Sequence, residues 1–200
     1  MYRRDQPEIE AHALASPHGL IDCLEFVLTT IQAALSTCRR QRRQIRRDGY
    51  DAACLWGKKP DGLRYGREHA PRLLEEFRRL KSRHATEEAV ELATSIPCLG
   101  LPKAGFLCQL LGFDVACLDV HNLRREGLPP SFVALNKKAT QATQRKHIAR
   151  YVDYCQRDGA ESWWDGWCQH VAGNRHNRNL PTADAVSRFH VDAVRMEASE

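Results

Sequence analysis

Apolar side chains recur along the 200-residue chain in a pattern that divides it into helical stretches separated by breaks. Residues up to about Pro17 are polar and read as an arm or a frayed first helix. From Gly19 the period turns helical. Leu20, Ile21, Leu24, Phe26, Val27, Leu28, Ile31, Ala34 and Leu35 predict one helix with a broad buried face. The run Arg39-Arg40-Gln41-Arg42-Arg43-Gln44-Ile45-Arg46-Arg47 continues it. Glycines and Pro60 within residues 49–66 predict a loop. Residues 71–83 form an amphipathic helix, with Leu73, Leu74, Phe77 and Leu80 inward and Glu75, Glu76, Arg78 and Arg79 outward. Thr86 is placed to cap the next helix, whose first turn carries Glu87 and Glu88 and which ends near Ser95. A short turn then leads into a nearly unbroken apolar helix, with Pro102 in its first turn and Gly112 as its stop. After Pro129-Pro130, residues 131–155 read as a helix with Lys137, Lys138, Arg145, Lys146 and Arg150 on its polar side. The fold class that follows is all-α.

With 42% hydrophobic residues the chain can bury a single core. No apolar run is long enough to span a bilayer. Eight cysteines raise the question of a disulfide framework, but Cys23, Cys38, Cys54, Cys98, Cys108 and Cys117 lie in apolar or helical contexts with no signal peptide ahead of them. They are expected as reduced core thiols of a cytoplasmic protein. Cys155, Cys168, His170 and His176 match no zinc spacing, so no metal site is expected. A net charge of +5 does not select a partner, whereas the bunching of Arg39, Arg42, Arg43, Arg46 and Arg47 suits nucleic acid. Such a face neutralises phosphates by counterion release; the competing reading is a solvated helix surface. His176, Arg178, Arg188 and His190 are expected on a polar tail surface.

Residues 95–125 carry the most specific signal. Ile96-Pro97-Cys98-Leu99-Gly100 with Ala104 resembles the helix-hairpin-helix of the DNA base-excision glycosylase superfamily, whose usual turn is L-P-G-V-G with an alanine four positions later. Leu118-Asp119-Val120-His121 falls where that family carries V-D-T-H or L-D-G-N. Two motifs in register, about twenty residues apart, are more specific than either alone. The string Leu24-Glu25-Phe26-Val27-Leu28-Thr29-Thr30-Ile31 is similar to the F-E-L-L-I-A-x-L helix of endonuclease III-like members, and residues 161–175 loosely resemble their H-H-W-L-I-L-H-G-R helix.

The resemblance implies a helix-hairpin-helix glycosylase-type helical domain over residues 19–178 with its hairpin at 86–112, a polar N-terminal arm at 1–18, and a C-terminal tail or helix at 179–200. It implies a monofunctional enzyme, akin to endonuclease III-like and adenine-mismatch glycosylases, that flips a base from double-stranded DNA and hydrolyses its N-glycosidic bond. The substrate would be a damaged, mismatched or modified base, the protein a monomer, and its place the nucleoid. Asp119 would be catalytic, the competing and compatible reading being a cap for the helix that begins at Val120. Pro97, Cys98, Leu99 and Gly100 would present backbone N–H groups to a phosphate, joined by Lys103 and His121, with Cys98 replacing the first glycine of the usual pair. Leu35 stands where the family has a glutamine probing the space left by the base, and is either an apolar wedge or a core residue. Trp163 and Trp167, one turn apart, are either core residues or base-stacking platforms. Bifunctional members place a lysine where Pro102 stands; Lys103, one step further, is turned by roughly 100° and is expected to point elsewhere. No iron–sulfur cluster is implied, because no set of four cysteines follows Cys168, and a monovalent cation at the hairpin is the one ion admitted. Residues 49–66 are shorter than the family's corresponding region. Two alternatives stay open: a base-modifying enzyme on the same scaffold, and a catalytically inactive DNA-binding protein.

Overall fold

Every regular element of the computed structural model, which describes residues 1–49, 55, 57–174 and 178–195, is helical. The elements are α1 (Tyr2–Ala15), α2 (Pro17–Thr29), α3 (Leu35–Asp48), α4 (Lys59–Ser82), α5 (Thr86–Thr94), α6 (Leu101–Leu110), α7 (Val120–Arg125), a 3-10 turn (Pro130–Phe132), α8 (Gln141–Val171) and α9 (Ala183–Val194). No strand occurs among the described residues, and none of their helices is long and apolar enough to cross a membrane.

The most buried helix is α2, where every residue from Gly19 through Thr29 is inside. It packs against α1, α3, α4, α6 and α9, so its apolar residues are surrounded rather than one-sided. The N-terminal stretch, expected as an arm or a frayed first helix, is a helix packed into the fold. Ile9 and Ala13 are the buried apolar residues of α1, Tyr2 and Leu14 pack partly buried against the same core, and Asp5 is buried among them. That carboxylate accepts from Ser187 Oγ at 2.6 Å, and Ser187 Oγ accepts in turn from Trp164 Nε1 at 2.9 Å, which ties α1 to α9 and α8. Burial pushes the Asp5 carboxyl up, but hydrogen bonds from Arg4 and Ser187 outweigh it and hold the group below the usual carboxylate range.

Four further boundaries differ from the pattern-based expectation. The long helix through Leu35 is broken at residues 30–34, where Gln32 takes a left-handed φ of +50°, so the arginine run belongs to a separate helix. The expected loop over residues 49–66 already turns helical at Lys59, because Pro60 sits in a first turn and Gly62 and Gly66 are packing contacts. A Cβ at Gly62 would strike the Pro97 carbonyl, so α4 seats the turn between α5 and α6 by having no side chain there. Thr86 is the first helical residue rather than the cap, with Ala85 ahead of it. Finally, α8 starts at Gln141, capped by Thr140, after an irregular segment, and bends at Gly159, whose φ is +75°. Of the cysteines, Cys23, Cys38, Cys108, Cys155 and Cys168 are buried free thiols and Cys98 and Cys117 are half-buried; Cys54 lies outside the described residues.

Candidate functional site

Helices α5 and α6 are joined by a turn whose geometry follows from its sequence. Leu99 N–H donates to Ile96 C=O at 3.1 Å, Pro97 is second in the turn and Cys98, third, has φ +73°. That is the pattern of a type II turn, in which the third position favours glycine. Cys98 holds it without glycine, half-buried against the core. Leu99 is buried, Pro97 half-buried and Gly100 exposed. The Gly100 and Leu101 N–H groups have no partner among the described residues, as expected at a helix start. Gly100 has an ordinary φ of −91° and no protein atom close to where a Cβ would stand, so no internal contact demands glycine there.

Asp119 is delivered by the segment leaving α6. Tyr151 of α8 donates its hydroxyl to Ala116 C=O at 2.6 Å and accepts from Leu118 N–H at 3.3 Å, pinning that segment in the core. Gly105 of α6 packs against the same carbonyl and hydroxyl, where a Cβ would not fit. Asn122 Nδ2 donates to Cys117 C=O at 2.7 Å. Asp119 then caps α7: Oδ1 accepts from His121 N–H at 3.0 Å and from Asn122 N–H at 3.1 Å. Oδ2 carries no hydrogen bond among the described residues.

The carboxylate opens on a cavity of about 730 Å³, inside the ~300–1,000 Å³ range of small-molecule sites. One wall is the α2–α3 connection, Thr30 to Leu35; a second is Pro102, Lys103, Phe106 and Gln109 of α6. A third is Cys117 and residues 119–122, and the rest comes from Trp163, Trp164, Trp167 and Val171 of α8, Asn174 and His190 of α9. Three tryptophans give the cavity an aromatic wall, set among polar side chains such as Gln32, Lys103, Asp119 and His190. Trp163 and Trp164 are buried and Trp167 half-buried, so these rings are core and cavity wall together. The connection is held from below by Lys59, buried at 1% exposure, whose ammonium donates to Ile31 C=O at 2.8 Å; burial pushes its pKa down.

Of the sequence-selected residues, Leu35, Lys103, Asp119 and His121 thus share one cavity. Leu35 is buried at the start of α3, and the exposed apex of the connection is Gln32, which pattern reasoning passes over. Lys103 corrects the expectation drawn from helix rotation. It is half-buried and lines the cavity, with Nζ 3.1 Å from Thr30 Oγ1 and 5.2 Å from the Phe106 ring centre. His121 is exposed, its ring 5.6 Å from that of His170.

The arginine run is split by the fold. Arg42 is fully buried between α3 and α2, 3.4 Å from Asp22 and 3.9 Å from Glu25, and Arg46 lies 2.6 Å from Asp22. Neither belongs to a solvent face; both answer carboxylates that α2 carries inward, since a buried charge needs a partner. Burial pushes Arg42 down to about 10 and Glu25 up. Arg39 is half-buried, its guanidinium 4.8 Å from the Phe189 ring centre. Arg40, Arg43 and Arg47, spaced three and four apart, form the exposed stripe, Arg47 being paired with Asp48 at 2.7 Å.

His190 is the second correction. Sequence pattern assigns it to a polar tail, yet it is 1% exposed on the inner face of α9, its ring against those of Phe26, Phe106, Trp164 and Trp167. The signal is present in the chain: Val186, Phe189, His190, Ala193 and Val194 recur at helical spacing. Burial pushes its pKa down to about 4, so the ring is neutral near pH 7. No group of three or more potential metal ligands occurs among the described residues. Compared with protein-family models, with curated proteins and with solved structures, the chain matches none.

Proposed function

We propose that the chain is a helix-hairpin-helix, glycosylase-type enzyme that extrudes a base from duplex DNA into the aromatic cavity and hydrolyses its N-glycosidic bond with Asp119. One observation carries the reading: a cavity walled by tryptophans has at its edge a carboxylate with one oxygen unengaged, beside the first turn of α6. Departure of a base leaves positive charge on the sugar, and an ionised carboxylate near the anomeric carbon lowers that barrier electrostatically. The unpartnered N–H groups of Gly100 and Leu101, and the missing side chain at Gly100, suit close approach of a phosphate that fixes register without reading sequence.

The test is incubation with duplexes bearing a panel of damaged, mismatched and modified bases, scoring abasic sites by alkali. Asp119→Asn keeps the cap, because asparagine serves that position as well as aspartate. It should therefore leave duplex affinity within a few fold while abolishing base release. Lost affinity with normal release per bound complex would reduce Asp119 to a structural cap. Altered but unreleased bases would point to a modifying enzyme, and binding without either product to a silent DNA-binding protein.

The position of Lys103 favours a second reading, in which its amine attacks the sugar and the strand is also cut. Monofunctional chemistry leaves an intact abasic strand and no borohydride-trapped adduct. An adduct that disappears in Lys103→Ala would establish the second reading.

A further inference from the structure

His190 presents one ring nitrogen that the fold does not use. Its Nδ1 lies 2.7 Å from Val186 C=O, and a carbonyl only accepts, so Nδ1 carries the proton and donates. In the neutral ring Nε2 is then a bare acceptor. It has no hydrogen bond among the described residues, although the side chain is almost wholly buried. Of the rings around it, those of Phe26, Phe106 and Phe189 have no donor, the Trp164 N–H is taken by Ser187, and the Trp167 N–H makes no hydrogen bond with it. Yet His190 lines the cavity together with Phe106, Trp164 and Trp167. An acceptor that faces a cavity walled by aromatic rings favours any ligand that brings it a donor and disfavours one that cannot.

We propose that His190 determines ligand specificity in the cavity: its Nε2 accepts a hydrogen bond from an N–H on the edge of an uncharged planar heteroaromatic ring. This rests on the base-extrusion reading for what the ring is, and adds that its edge must be a lactam or amino donor. A ring alkylated at that edge nitrogen is rejected, because it leaves the acceptor unpaired and puts a methyl group against it.

The probes are matched pairs in which one methyl stands for the sugar: 1-methylthymine against 1,3-dimethylthymine, and 9-methylhypoxanthine against 1,9-dimethylhypoxanthine. Since Trp163, Trp164 and Trp167 line the cavity, quenching of intrinsic fluorescence reports occupancy without any turnover. The wild-type protein should bind the N–H member of at least one pair about tenfold tighter, the worth of one buried hydrogen bond. His190→Phe, which keeps a ring in the same space, should bind both members alike, and His190→Gln, whose carbonyl can accept, should restore part of the preference. Should His190→Phe not fold, the 15N resonance of Nε2 in the wild-type protein decides: it should move with the N–H member alone. Equal binding of both members by the wild type, no quenching by any probe, or a preference that survives in His190→Phe would overturn the proposal. The two readings fail separately. Base release indifferent to His190 would sink this one alone, whereas a His190-dependent preference without base release from any duplex would sink excision alone.

Discussion

His190 also sets a pH window at the scale of one residue. Its pKa falls from 6.5 in a free chain to about 4 in the apolar interior, so the unfolded chain binds a proton that the folded protein refuses. Its contribution to stability is therefore complete above pH 6.5 and declines as the pH falls towards 4, by about 3 kcal/mol in all. Urea melts across that interval should show the slope in the wild-type protein and a flatter one in His190→Phe; parallel slopes would mean another group titrates there. Cys98 is a residue of a different kind. The turn needs a left-handed third position, and this is readable from Pro97 and Gly100, but whether a cysteine would hold that conformation is not. The thiol is kept there by its packing against the core.

Among elements, α3 best shows how a charge pattern misleads. An arginine run reads the same whether its partners are phosphates or buried carboxylates, because Asp22 and Glu25 lie on another helix. Arg42→Ala removes the buried partner that the two carboxylates share, leaving Arg46 to Asp22 and Arg67 to Glu25, and should cost about 1 to 3 kcal/mol by chemical unfolding. Replacing Arg40, Arg43 and Arg47 together should leave the melting temperature near the parent's. It should flatten the dependence of log affinity on log salt by roughly 0.9 for each phosphate no longer neutralised. An unchanged slope would return the stripe to an ordinary solvated face. The connection between α2 and α3 is likewise invisible to periodicity, since Ile31, Ala33, Ala34 and Leu35 continue an apolar pattern through the break. The cause lies elsewhere in the chain: Lys59 holds the Ile31 carbonyl from α4.

At the scale of the whole molecule, α1 and α9 meet behind the cavity wall. Asp5 of α1 reaches Ser187 of α9, and through it Trp164 in the cavity wall. Asp5→Ala should cost about 2 to 3 kcal/mol and alter the native tryptophan emission, because a charged acceptor is removed from a buried chain of hydrogen bonds. Unchanged emission would detach that chain from the cavity. Local pattern sufficed for the all-helical class and for α5 and α6 with the turn between them, since a proline-bearing turn and helical periodicity act within a few residues of one another. It did not suffice for α1, whose few buried apolar positions find their partners on distant helices, nor for the division of the arginines. The cavity arose only on packing: its walls come from stretches as distant as Thr30 and His190, and nothing in the spacing of either records that the other stands opposite.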